Sequence, residues 1–345
     1  MYKPVTACGV KKVAVVLAGG VGLGAYQAGA YGRLCNEFEP DWIAAASVGA
    51  VNAAIIAGNP PDRRLQALAD YWKLDTDYIA NRGEAEPREA FVSWLNVANW
   101  MSALQSRLMG APGFFNLRPA NLSRSPPALY DLGPTRARLE RLVDFDRLND
   151  GGIRLSIATT NIETGDLVLF DTARGTRIEI EHLLASCGLL PEFAPVEIGS
   201  RLLGDGALAA NAPVDVVLGD PSDELEFCFV IDLFARDGAR PTDLQTSLAR
   251  RQELFFANQT HRQLVAWLER QAAEGEAANG QSSLTVCYLS YRASPEEAGP
   301  EKGFDFSGRS IGARWREGAL DMDEALNTVR GRAERGGLFK IRRTN

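Results

Sequence analysis

Twice near its N-terminus the chain passes from a short apolar run, through a turn of small residues, straight into a helix-like segment. KVAVVLA (12–18) is β-branched and continuous, as in a strand buried on both faces, and GGVGLG (19–24) carries it into AYQAGAYGRLCNEF. DWIAAA (41–46) passes through Ser47 into VGAVNAAIIAGN in the same way. Strand, tight turn and helix, repeated, open a parallel α/β sheet. The expected fold is α/β, with a mostly parallel central sheet flanked by helices.

The rest of the chain extends this pattern. Residues 62–74 read as helix, 153–160 and 166–170 as strands joined by a turn, and LEFCFVIDLF (225–234) as a strong buried strand. A long polar-faced helix over 243–274, a strand candidate at 283–292 and a final helix follow. The organisation expected is a first domain over 1–235 with a helical insertion at about 75–133. A helical extension with one strand, 236–345, packs on the same domain. Lys and Arg number 37 against 44 Asp and Glu, a net charge of −7 that argues against nucleic acid as partner. The five cysteines form no CxxC pair and read as free thiols of a reducing compartment. No apolar run reaches the roughly 18 residues of a membrane span. These features imply a cytoplasmic protein, with surface attachment to a membrane left open.

Ser47 stands where an apolar strand stops and a helix starts, the outline of a nucleophile elbow, and such a serine needs a base. The chain has two histidines, His182 and His261, neither in a catalytic context. The glycine-rich loop has two readings. Gly20 to Ala25 fits GxGxxA, a dinucleotide fingerprint, but the acidic residues Glu37, Glu39 and Asp41 precede the second strand instead of ending it. Alternatively, the loop N–H groups form an oxyanion hole for Ser47, because both motifs leave the sheet at carboxyl ends of strands. A carboxylate can replace histidine as base. Asp205, between Gly204 and Gly206, is one candidate, although a β-turn aspartate is the ordinary reading of that sequence.

The loop LAGGVGLGAYQAG, the elbow AASVG and the DGA at 205–207, in that order and each after a strand, resemble the patatin-like phospholipase family. The surroundings LASCGLLPEFAPVEI and NAPVDVV add to the likeness, which covers roughly 12–235; the remainder resembles the extension of a bacterial subgroup. The resemblance implies a three-layer sandwich and hydrolysis of lipid or fatty-acyl esters by a Ser47–Asp205 dyad through an acyl-serine. It also implies an oxyanion hole at Gly19, Gly20, Val21 and Gly22, supported by Gly24, Gly49, Gly206 and Ala207, with no cofactor and no metal. The chain departs from the family pattern at Val21, Leu23 and Ala45, where a glycine, a basic residue and a glycine are usual. Two rivals follow: a weak or inactive binding scaffold, and a nucleotide-binding oxidoreductase.

Between elbow and Asp205 lies AFVSWLNVANWMSALQSRLMGAPGFFN (89–115). Phe91, Trp94, Leu95, Val97, Met101 and Leu104 recur at helical spacing, with Trp100, Leu108, Phe114 and Phe115 adding apolar surface. A helix packed on the sheet is the plain expectation. The alternative is a cover for the acyl site that touches lipid surface.

Overall fold

The structure, a computed structural model, describes residues 12–74, 92–118, 128–220, 225–278, 284–294, 297, 299–332 and 337–341. Nine strands form one sheet: β1 (Val13–Leu17), β2 (Trp42–Ala46), β3 (Arg154–Asn161), β4 (Leu167–Asp171), β5 (Val196–Ile198), β6 (Arg201–Asp205), β7 (Phe227–Asp232), β8 (Thr285–Ser290) and β9 (Gly337–Lys340). Their order is β9-β8-β7-β1-β2-β3-β6-β5, with β4 also pairing β3. From β9 to β3 every pairing is parallel. β4 and β6 run antiparallel to β3, and β5 antiparallel to β6. The sheet is thus α/β and mostly parallel, as expected.

β1, β2 and β7 are buried along their whole lengths, so both faces of the sheet are covered. The covering helices include α1 (Ala25–Leu34), α2 (Val48–Ala57), α3 (Pro61–Trp72), α4 (Val92–Met109), α5 (Ile180–Ser186), α6 (Leu244–Ala278) and α7 (Gly308–Arg332). α2 is apolar all round except for Asn52 and is buried throughout, as a helix inside a large core must be. It reaches β1 because Gly49 has no side chain: a Cβ there would lie 2.3 Å from the Leu17 carbonyl oxygen. Ala45 fits in β2, buried between Leu17 and Ile157.

The C-terminal extension enters the same sheet. β8 pairs with β7, and β9, which the sequence reading did not pick out, pairs with β8, so the extension has two strands among the described residues. GLFK at 337–340 is short and only half-buried, which leaves little apolar alternation to read. α7 lies backbone to backbone on α1: a Cβ at Gly29 would meet the Trp315 carbonyl oxygen at 1.9 Å, and one at Gly318 the Tyr26 carbonyl oxygen at 1.9 Å. No helix of the described residues is long and apolar enough to cross a membrane.

Candidate active site

Ser47 joins β2 to α2 with φ 54° and ψ −128°. A non-glycine residue in that region carries strain of about 1–3 kcal/mol, which the packed strand and helix on either side sustain. The register of the sheet sets its partner. Ala46 pairs with Ala158 and Thr159 with Asp205, so the residue after β2 and Asp205 stand level on either side of β3. Two strand spacings separate them, roughly 10 Å of backbone. The side chains close that gap, and Ser47 Oγ donates to Asp205 Oδ2 at 2.7 Å. Asp205 Oδ1 accepts the Ala207 N–H at 2.8 Å, which fixes the carboxylate plane. Burial pushes the Asp205 pKa up to about 7, against the opposing pull of the bonds from Ser47 and Ala207.

Ser186 completes the elbow. The Ser47 N–H donates to Ser186 Oγ at 2.8 Å, and that hydroxyl donates to the Ala158 carbonyl at 2.7 Å. The sequence reading missed Ser186; its only signal is a small polar residue ending an apolar helix. Cys187, next to it, is half-buried on the wall of the apolar cavity, and desolvation of its thiol pushes the pKa well up. Neither histidine lines a cavity at Ser47. His182 Nδ1 accepts the Glu179 N–H at 2.8 Å at the start of α5, its ring lies against Phe170, and burial lowers its pKa. His261 belongs to α6, beside Arg236 and Lys340.

The four loop residues expected to hold an oxyanion divide into three roles. Gly19 is a point of close approach: a Cβ there would meet Asn211 Oδ1 and Ser47 Cβ, each at 2.9 Å. Its N–H already donates to the Asn211 carbonyl at 3.0 Å, so it offers no donor to a substrate, contrary to the expectation. Gly20 and Val21 line the cavity at Ser47, and among the described residues their N–H groups meet no backbone acceptor. Gly22 packs against the extension, where a Cβ would lie 2.8 Å from the Gly303 carbonyl oxygen. Val21 has φ 52°, an outlier for a β-branched residue and the position where the family pattern has glycine.

Leu23 is buried, so the loop has no cation of its own. One arrives from α7 instead. Arg314, fully buried, donates through Nη1 to the Gly22 carbonyl at 3.1 Å and pairs through Nε with Glu297 at 2.9 Å. Behind the loop, Gln27 Nε2 donates to the Ala18 carbonyl at 2.8 Å, and Asn52 Nδ2 to the Gly24 carbonyl at 2.9 Å. Gly24 and Gly206 permit tight packing, against Val48 and the Ala158 carbonyl respectively.

Two cavities meet at Ser47. One is apolar, walled by Val51, Tyr71, Trp72, Phe114, Phe115 and Phe193. Phe114 and Phe115 therefore line the site, whereas no described side chain of α4 borders this cavity. Phe91 lies outside the described residues, as do the side chains of Trp94 and Leu95. α4 is turned against the plain expectation. Its side chains facing the fold are small or polar: Ala103 is buried, Asn99 accepts from Ser310 Oγ at 3.4 Å, and Ser102 donates to Asp305 at 2.7 Å. Val97, Trp100, Met101, Leu108 and Met109 are exposed, Met109 by 73%. The second cavity is the more polar of the two: among apolar walls such as Leu189, Phe234 and Phe256 it includes Arg107, Glu192, Asn211, Gln252 and Lys302.

A family model described as Patatin-like phospholipase matches residues 15–218, more than half of the chain. Among solved structures, VipD from Legionella pneumophila is distantly similar over 93% of this chain and 68% of its own, at 13% identity and a TM-score of 0.40. No curated protein matches.

Proposed function

The chain belongs to the patatin-like phospholipase family and is a lipid acyl hydrolase, and from that premise we propose that Ser47 is its nucleophile and Asp205 its only proton acceptor. The observation that carries this reading is the 2.7 Å bond from Ser47 Oγ to Asp205 Oδ2 inside the core. As Ser47 Oγ attacks the ester carbonyl, its proton passes to Asp205 Oδ2. The N–H groups of Gly20 and Val21, with the N-terminus of α2, stabilise the tetrahedral oxyanion. Asp205 then protonates the departing alkoxide, leaving an acyl-serine. Water attacks that ester, giving its proton to Asp205, and the acid leaves as Ser47 recovers its proton. The acyl chain occupies the apolar cavity.

The outward apolar face of α4 is the surface that meets lipid. A helix that directs Trp100, Met101 and Leu108 to solvent while anchoring by polar side chains is suited to lie on an interface. The test of the chemistry is hydrolysis of a short soluble ester by wild type, Ser47→Ala and Asp205→Asn. Activity in wild type alone supports the dyad. An active Asp205→Asn variant contradicts it, and an inactive but folded wild type makes the chain a scaffold.

A further inference from the structure

The polar cavity is built in large part by residues beyond the family-matched segment: Gln252 and Phe256 from α6, and Lys302, Gly303 and Phe304 from the turn before α7. Its cations are already engaged. Arg107 pairs with Glu192 at 3.0 Å and with Glu301 at 2.6 Å, and Lys302 pairs with Glu253 at 2.8 Å. With Glu192 and Asp205 also on its wall, the cavity has no excess positive charge for an anion. What it has is open hydrogen-bonding capacity of a neutral kind. Asn211 and Gln252 line it; both ends of the Asn211 amide and Gln252 Oε1 are closed to solvent and lack a partner among the described residues, so the Asn211 amide loses no hydrogen bond by turning towards an occupant.

An unmet buried polar atom costs about 1–3 kcal/mol, so such groups in a cavity mark where an occupant's polar atoms go. The amide oxygens need donors and the Asn211 amide nitrogen needs an acceptor; because both ends of Asn211 are open, this holds whichever way its amide is turned. An alcohol hydroxyl meets both needs, whereas an ionised phosphate brings acceptors alone. Gly19 places Asn211 Oδ1 beside Ser47 Cβ, so the open amide borders the reacting centre.

Resting on the hydrolase reading above, we infer that this cavity is a leaving-group subsite, built with the C-terminal extension, for an uncharged hydroxyl-bearing alcohol such as glycerol. The substrate class is then an acyl ester of a polyol, with the acyl chain in the apolar cavity and the free hydroxyls on Asn211 and Gln252.

The test compares three octanoyl esters: monooctanoylglycerol, ethyl octanoate and octanoyl-glycerophosphocholine. Wild type is expected to show kcat/KM about tenfold or more higher for the glycerol ester than for either other, the effect of two or so neutral hydrogen bonds. Gln252→Leu and Asn211→Leu are each expected to lower the glycerol ester more than the ethyl ester, moving the ratio towards one. Gln252→Leu removes an unmet buried acceptor, so its Tm should not fall, as it would if Gln252 were merely structural. Equal rates on the glycerol and ethyl esters, or preference for the phosphate ester, overturn the subsite and leave the hydrolase reading standing. If wild type cleaves none of the three, that reading fails, and the subsite is judged by binding of the uncleavable 1-O-octylglycerol. A larger Tm rise than with 1-ethoxyoctane, lost in Gln252→Leu, sustains it; no difference overturns it.

Discussion

The two cavities at Ser47 share Val21, Leu189, Ser47 and Asp205 and otherwise differ in chemistry and origin. The apolar one draws nearly all its walls from the family-matched segment, Phe306 being the exception, and is lined by aromatic rings. The polar one takes much of its wall from α6 and the turn before α7. On the proposed reading, the acyl side lies almost wholly within the family-matched segment, while the leaving-group side is shared between that segment and the extension. Specificity for the alcohol can vary without disturbing the dyad.

The largest effects test what the cavities share. Ser47→Ala and Asp205→Asn should each lower ester hydrolysis by at least about 10³-fold, with the double variant little worse than either, because members of a catalytic unit act together. Steady-state rates on a soluble ester check this. Asp205→Asn should also change stability with pH. The Asp205 pKa in the fold, about 7, lies above its unfolded value, so its contribution is fully present below the unfolded pKa and is lost as pH rises through about 7. A shift of this size corresponds to roughly 4 kcal/mol. Thermal melts at pH 8 should accordingly find Asp205→Asn more stable than wild type, and the gain should shrink towards pH 4.

The next effect tests the extension. Arg314→Met leaves the buried Glu297 carboxylate without its cation and the Gly22 carbonyl without its donor, so denaturant melts should show a loss of about 3–5 kcal/mol. An unchanged melt would mean that the extension does not support the loop. A smaller effect concerns α4. Replacing Trp100 and Leu108 together by serine should lower turnover of vesicle substrate by about tenfold or more, given the apolar area withdrawn from lipid, and change a short soluble ester little. Equal loss on both, with a lower Tm, would make the helix an element of the core.

The smallest effect concerns Val21. Val21→Gly and Val21→Ala lose similar packing, but alanine keeps the unfavourable φ and glycine does not. Val21→Gly should therefore be the more stable by about 1 kcal/mol, read from denaturant midpoints.

Much of this site was legible because each element announces itself locally. A strand that stops at Ser47 before an all-apolar helix gives the elbow, and GGVGLG after a strand gives the loop. Asp205 needed the family resemblance, since a glycine-flanked aspartate looks like any turn, and its antiparallel strand reaches Ser47 only through the register of β3. Ser186, Asn211 and Arg314 left no such trace. Their roles arise from contacts between distant segments, Arg314 lying 292 residues from the Gly22 carbonyl it supports. The orientation of α4 is not legible for a related reason. Helical spacing shows that an apolar face exists, but not that the partner of α4, the segment around Asp305–Ser310, is polar.

The central claim is that a buried carboxylate, without histidine, activates Ser47. It is tested most directly by the pH dependence of labelling with a fluorophosphonate, the modified peptide being located by mass spectrometry. The account predicts an adduct on Ser47, formed at a rate that rises with pH through about 7 as Asp205 ionises, unchanged when His182 and His261 are both replaced, and nearly absent in Asp205→Asn. Labelling of another residue, or labelling of Ser47 that persists at full rate in Asp205→Asn, would contradict it.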